Sequence, residues 1–432
     1  MRGKGFAFLL AVFMMAACSN PASHGKIEDV TEPEKEPAEL TLMVYMAADN
    51  DLESYALENL KAMERAVYSK VNVLVLMDRS EGYDETEGNW TDTRLFEVTH
   101  DEGNDSSIKS KRLSCPSLGL SETESTELDM ANSSVLRNFI EFGKASYEAK
   151  TYALIIWGHG TGWRYCAENS GGEGNGLVRA VAVDDRSGSY MSIHDLGQAV
   201  SGQGLKIIGF DTCFGGVIEN VYELKNHAVY TVACPGVTPS GGWNYKNLLE
   251  TISGSNFSVS NIANAMAQSS SVAATVFTNA KLTELFTAFE LFSRRLAASI
   301  TNASSRDEVL NTLNSVRSYC YTQNPCDIYL DLFSLAEKYQ ASSNVELSQA
   351  AVNLENTINQ TVSSTSVSGS GVGVHYIPKT SSGAMAGVHS AAYLKDSSGS
   401  DQCAFIKESQ WWVPTTGGNS GSLLDKLFYT VY

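Results

Sequence analysis

A histidine held between two glycines closes the run "YALIIWGHGTGW", and a cysteine closes "GLKIIGFDTC"; the 432 residues contain only seven histidines and eight cysteines. His159 and Cys213 are each delivered by a continuous apolar run of strand length and are each followed by glycine-containing backbone. In an open parallel sheet the carboxyl ends of the strands share one edge, so residues just beyond neighbouring strands meet there. A thiol beside an imidazole is a nucleophile with its base: the imidazole takes the thiol proton during attack and gives it to the leaving group. Cys213 also precedes "FGGVIENVYELK", so a helix amino end is expected against the sulfur, where unpaired N–H groups and the helix dipole favour a thiolate. Gly158 and Gly160 let the main chain come close to a substrate, and the N–H groups of Gly160 and Cys213 are the expected oxyanion hole. Each feature alone is ordinary, since a cysteine after a strand is commonly a small buried hydrophobe. Their matched placement points to chemistry.

The elements that must position this pair are legible as period changes. "ELTLMVYMAADNDLESYALENLKAMERA" opens as a strand and then repeats Leu52, Ala56, Leu60, Met63 and Val67 on one helical face, with Asp49, Asn50 and Asp51 as the expected cap. "VNVLVLMD", "TRLFEVT" and "HAVYTVAC" are further strands, and "SSVLRNFIEFGKASYE" is a helix. "SIHD" carries the Ser-x-x-Asp spacing of a capping box. Later, "TELFTAFELFSRRLAAS" and "DIYLDLFSLAEKY" have helical spacing, and "GSGVGVHYIP" returns to strand character. Continuous rather than alternating apolar strands, separated by helices, argue for a sheet covered on both faces, the α/β layer architecture.

A net charge of −18 opposes nucleic-acid binding, which needs clustered Lys and Arg. At 43% hydrophobic and 19% charged residues the chain has the composition of a globular protein. Its beginning is different. Arg2 and Lys4, the run "FAFLLAVFMMAA" and then Cys18 resemble a bacterial lipoprotein signal, which implies residues 1–18 as a signal ending at a lipidated Cys18. Residues 19–39, rich in Glu and Pro, have little to bury and read as a disordered tether, leaving 40–432 as the folded domain. The expected location is the bacterial envelope, on the outer membrane, held by the lipid. Of the remaining cysteines, Cys320 and Cys326 flank "YTQNP" closely enough to bridge across a turn. His159, Cys166 and Cys213 lack the compact spacing of a zinc site, so no metal is assigned to them.

The segments "TLMVYMAADNDLE", "ELDMANSSVLRNFI", "YALIIWGHGTGW", "VRAVAVDDRSGSYMSIHDL", "GFDTCFGGVIENVYEL" and "TPSGGWNY" resemble, in this order, the clostripain-like cysteine peptidases, which share the caspase-type fold with gingipains and legumains. The resemblance implies a caspase-like three-layer αβα sandwich with a mostly parallel central sheet, a catalytic core over about 40–250 and a helical C-terminal elaboration over about 251–432. It implies an endopeptidase that forms a thioester acyl-enzyme on Cys213 with His159 as its dyad partner, acting on protein or peptide substrates. Asp211, the acid of the D-x-C motif, either supports the site or simply bonds loop N–H groups. Cutting after Arg or Lys is implied too, yet the expected pocket wall "ACPGVTPSGGWNY" contains no acid, and Asn279 stands where the resemblance expects one. Self-activation by a cut in the loop between the two catalytic residues makes Arg164 and Arg179 the candidate sites. No cofactor is required; calcium is implied by resemblance, with oxygens available on Asp184 and Asp185, which a surface turn accounts for equally well. The rival expectation is a catalytically silent surface lipoprotein of the same fold that acts as a binding module.

Overall fold

A computed structural model describes residues 36–103, 107–162, 181–319, 328–365, 371–376 and 404–409, with the single positions 411, 423, 426 and 427. Cys18, Arg164, Cys166, Arg179, Cys320, Cys326 and Cys403 lie outside the described residues. The chain divides into Met1–Glu36 and Pro37–Tyr432, and the elements given below belong to the second unit.

In chain order these are β1 (Ala38–Ala48), α1 (Glu53–Glu64), β2 (Val71–Arg79), β3 (Arg94–Glu97), β4 (Lys111–Leu113), α2 (Ser133–Ser146) and β5 (Ala149–Trp157). Next come β6 (Ala182–Asp184), β7 (Ser189–Met191), α3 (Ile193–Val200), β8 (Ile207–Asp211), α4 (Ile218–Glu223), β9 (Tyr230–Ala233), α5 (Tyr245–Ser253), α6 (Val259–Ser269) and β10 (Thr275–Thr278). The last third holds α7 (Leu282–Ser299), α8 (Ala303–Asn314), β11 (Ser318–Tyr319), β12 (Ile328–Asp331), α9 (Leu332–Gln340), α10 (Val345–Thr361), β13 (Val362–Thr365), β14 (Gly373–Tyr376) and α11 (Ala404–Glu408).

The main sheet runs β13-β10-β9-β8-β5-β1-β2-β3-β4. Its centre, from β9 to β2, is parallel, and antiparallel strands close both edges. Both faces are covered, which is why the strands read as unbroken apolar runs. Leu40, Leu42, Val44 and Met46 of β1 face a core shared with α1, α5 and α6. Met43, Tyr45 and Ala47 face the opposite core, shared with α2, α3, α4, α7, α9 and α10. This is the three-layer αβα sandwich expected. Leu154 and Ile156 of β5 are fully buried; at about 1.5–3 kcal/mol each they fix the strand that ends just before His159.

Three expectations need correcting. "DIYLDLFSLAEKY" is not one helix: its first residues pair as β12 in a small sheet ordered β11-β12-β14, and α9 starts only after Asp331, whose side chain accepts the Ser334 N–H at 2.8 Å. Val67 lies beyond the end of α1 and is exposed, so the apolar face stops at Met63. Asp49, Asn50 and Asp51 before α1 do not cap it in the expected way, because the N-cap is Leu52 and no side chain bonds the first turn there. Asn50 alone contributes, accepting the Leu52 N–H at 3.1 Å. By contrast Ser192 and Asp195 do form the capping box of α3.

Candidate active site

The pairing register brings the two halves together. β5 and β8 run parallel with Trp157 opposite Asp211, and the ladder continues as the Gly158 N–H donates to the Asp211 carbonyl at 3.4 Å. Two residues further on, His159 and Cys213 emerge side by side at the carboxyl edge of the sheet. Gly160 then folds onto the cysteine turn: a Cβ there would sit 2.7 Å from the Thr212 Cβ and closer still to the Cys213 carbonyl oxygen. Only glycine fits that approach. Gly158, with φ +143°, is similarly pressed against the Ala47 carbonyl of β1, 2.9 Å from where its Cβ would be.

His159 is one-third exposed, and its Nε2 lies 2.6 Å from Oδ1 of Asp51. Asp51 was expected to cap α1; instead it reaches across from the end of β1, the strand beside β5, to the imidazole. A carboxylate on one ring nitrogen fixes the tautomer and rotation of the ring, and Nδ1 remains for proton transfer. The signal for this contact was the position of Asp51 just after a strand that ends at the same edge. Helix-cap logic explained the residue just as well, so the contact was missed.

Cys213 is a buried thiol, 8% exposed. Its sulfur donates to the Thr238 carbonyl at 3.5 Å and accepts the Thr238 N–H at 3.3 Å. The carbonyl suits the thiol and the amide suits the thiolate, so this loop serves both protonation states. The expected helix amino end is not there: α4 starts at Ile218, and a turn intervenes in which the N–H groups of Phe214 and Gly216 donate to Gly236 and Cys234 carbonyls at 2.8 and 2.7 Å. The two glycines after Phe214 serve this turn, because a Cβ on Gly216 would lie 2.8 Å from the Pro235 nitrogen. Phe214 itself is held at φ +54°, rare for a bulky side chain, with its ring 5.1 Å from that of Tyr329. The thiol therefore sits at the apex of a strained strand-to-helix turn.

Asp211 is 3% exposed and anchors the loop opposite. Its Oδ2 accepts the Trp243 N–H at 3.0 Å and the Tyr245 hydroxyl at 2.9 Å, while Oδ1 has no hydrogen-bond partner. Burial pushes its carboxyl up to about 7, against the pull of those two donors. Asn279 is nowhere near this edge. β10 runs antiparallel to β9, so the residue after β10 falls at the opposite end of the sheet, where Asn279 Nδ2 donates to the Leu224 carbonyl at 2.9 Å. Asp184 and Asp185 flank the β6–β7 turn, and both Asp184 oxygens are taken, by the Met130 and Ser187 N–H groups at 2.9 and 2.8 Å.

The C-terminal third is built into the site rather than appended to it. The Tyr329 hydroxyl of β12 donates to the Thr161 carbonyl at 2.7 Å, two residues from His159. Val217 bridges to Gly373 of β14, and the Gly373 N–H donates to the Gly216 carbonyl at 3.1 Å. Among the other described histidines, His194 Nδ1 meets Glu223 at 3.1 Å, and His375 is buried in β14.

Comparison with known proteins bears on the family and on the fold. The model of the clostripain family matches residues 44–411. Clostripain from Hathewaya histolytica is 31% identical over 201 residues, a stretch covering 43% of this chain and 36% of that protein, so the match spans about a third of the relative's length. An inactive zymogen C11 protease from Parabacteroides distasonis superposes with a TM-score of 0.60 at 18% identity, over 86% of this chain and 98% of the other. A secreted C11 cysteine protease from Bacteroides thetaiotaomicron, solved with an irreversible peptide inhibitor, gives 0.55 at 21% identity over 80% and 94%. At these identities the likeness to the solved structures is one of fold.

Proposed function

Because the chain belongs to the clostripain family, we propose that it is a cysteine endopeptidase in which Cys213 attacks the scissile carbonyl and His159 moves the protons. The observation that carries this is the β5–β8 register, which sets both residues at one sheet edge. The Cys213 sulfur forms the bond to the carbonyl carbon, and the developing oxyanion is met by the N–H groups of Gly160 and Cys213. His159, protonated by the thiol, then protonates the departing amine, and the resulting thioester is hydrolysed by water that His159 deprotonates. Asp51 is a positioning residue that holds the imidazole through Nε2.

The preferred residue before the cut is Arg or Lys, and Asp211 is the acid that such a side chain needs. It is buried two residues before the nucleophile with one oxygen unpartnered, a state that a guanidinium or ammonium would relieve. Activation proceeds by a cut at Arg164 or Arg179, in the stretch that joins β5 to β6. Lipidation of Cys18 tethers the enzyme to the outer membrane through residues 19–39.

A peptide library with every residue varied before the cut tests activity and preference together. Turnover after Arg or Lys, abolished in Cys213→Ala and His159→Ala, is the expected result, with Cys213 alkylated faster than Cys115 and Cys234. Equal alkylation rates and no cleavage would instead favour the binding lipoprotein.

A further inference from the structure

Cys234 is a second buried thiol beside the nucleophile, and the peptidase chemistry does not use it. β8 and β9 run parallel with Phe210 opposite Ala233, so Cys234 starts the loop that faces the Cys213 turn. Main-chain bonds lace the two segments together: the Phe214 N–H donates to the Gly236 carbonyl at 2.8 Å, and the Gly216 N–H to the Cys234 carbonyl at 2.7 Å. A Cβ on Gly216 would lie 2.9 Å from the Cys234 carbonyl carbon, so no side chain separates them there. Neighbouring strands lie about 4.8 Å apart, inside the roughly 4.4–6.8 Å between Cα atoms that a disulfide bridges.

Both sulfurs meet the same residue. The Thr238 N–H donates to the Cys213 sulfur at 3.3 Å, and the Thr238 side chain, whose hydroxyl donates to the Thr212 carbonyl at 2.9 Å, also acts on the Cys234 sulfur. The Cys234 sulfur accepts the Gly236 N–H at 3.4 Å and feels the charge of a Cys213 thiolate. Burial pushes the Cys234 thiol up to about 11; it stays protonated at neutral pH and does not compete for oxidants, which react with thiolates. Cys213 has His159 as its base. Cys115, the remaining free cysteine among the described residues, follows β4 at the far edge of the sheet.

We propose that hydrogen peroxide converts Cys213 and Cys234 into a reversible disulfide that silences the peptidase and shields its sulfur from further oxidation, an inference that rests on Cys213 being the reactive thiol. The Cys213 thiolate attacks one peroxide oxygen: an S–O bond forms, the O–O bond breaks, and the other oxygen leaves as hydroxide, which takes a proton to become water. The Cys234 sulfur then attacks the Cys213 sulfur: the S–S bond forms, the S–O bond breaks, and the hydroxide leaves as water with the Cys234 proton. The two sulfurs have lost two electrons, and the peroxide has gained them. A dithiol reverses the bond by exchange. Without Cys234 the sulfenic acid would climb to sulfinic acid, which dithiols do not reduce.

The test exposes the full chain and its Cys234→Ser and Cys234→Ala variants to hydrogen peroxide and maps every cysteine by mass spectrometry. Peptide cleavage by each protein, before and after dithiothreitol, is compared with its own untreated rate. In the parent, the peptides containing Cys213 and Cys234 should be joined, and dithiothreitol should restore most of the lost cleavage. Both variants should carry Cys213 as sulfinic acid, with irreversible loss at least about tenfold faster than in the parent. Two substitutions guard against one that fails to fold. Cys213 left as a thiol, found as sulfinic acid while Cys234 stays a thiol, or joined to another cysteine would overturn the pair, as would an oxidation course that the variants do not change. Failure of the peptidase reading looks different: the untreated parent then cleaves no peptide, while the cysteine map still decides the disulfide.

Discussion

Replacing Asp211 by Asn isolates the buried charge beside the nucleophile. The folded carboxyl titrates at about 7, whereas in the unfolded chain it titrates near 3.9. Between those limits the folded protein keeps a proton that the unfolded chain has released. Stability from this group therefore falls as pH rises, by about 1.4 kcal/mol per unit over roughly three units, or about 4 kcal/mol, and is level above pH 7. Asparagine cannot ionise, so it escapes that loss. Its oxygen can still accept the Trp243 and Tyr245 donors, but its NH2 group then occupies the place where Oδ1 has no partner, at a cost of about 1–3 kcal/mol. The variant should thus be less stable than its parent by up to about 2 kcal/mol near pH 4.5, and more stable by about 1–3 kcal/mol above pH 7. Urea denaturation of Cys213→Ala proteins with and without the change, from pH 4.5 to 8.5, measures the crossover. A stability difference that stays constant with pH would mean that the folded carboxyl ionises as freely as the unfolded one. That result would refute the buried-charge reasoning.

Gly160→Ala should cost kcat about a hundredfold or more while the fold survives, because the added methyl meets main chain at Cys213 that cannot yield; steady-state kinetics within twofold of the parent would contradict the packing. Asp51→Asn should lower kcat only about two- to fivefold with KM unchanged, because the Asp51 side chain is 66% exposed and water screens the pair; Asp51→Ala, which also loses the orienting contact, should cost more. Cys213→Ala should stay a single chain on a denaturing gel where the parent yields two fragments joined only by folding, and identical patterns would remove self-processing. For the parent, kcat/KM on Arg substrates should climb as pH rises through about 7, where Asp211 becomes charged, and Asp211→Asn should flatten that rise.

His159 and Cys213 were legible because buried parallel strands are the segments where composition leaves least freedom. A continuous apolar run can be little else, and the residue just past it must fall at the carboxyl edge. Strand order carries no such mark. Asp51 follows the strand next to β5, so it reaches His159; with β1 elsewhere in the sheet the same sequence would have been the helix cap it resembled. Asn279 was misplaced for the same cause, since nothing in "ATVFTNAKL" tells that β10 runs against β9 and carries the residue to the far edge. The thiol's surroundings follow this rule too. Thr238 and the turn bonds of Phe214 and Gly216 come from the segment after β9, the neighbour on the other side of β8. The proposed nucleophile and its base are thus properties of two strands. The residues that orient the base, bond the sulfur and anchor the pocket loop belong to whichever strands lie alongside. Changing the preference before the cut therefore calls for substitutions after β8 and β9, while changes after β1 should act on turnover without altering that preference.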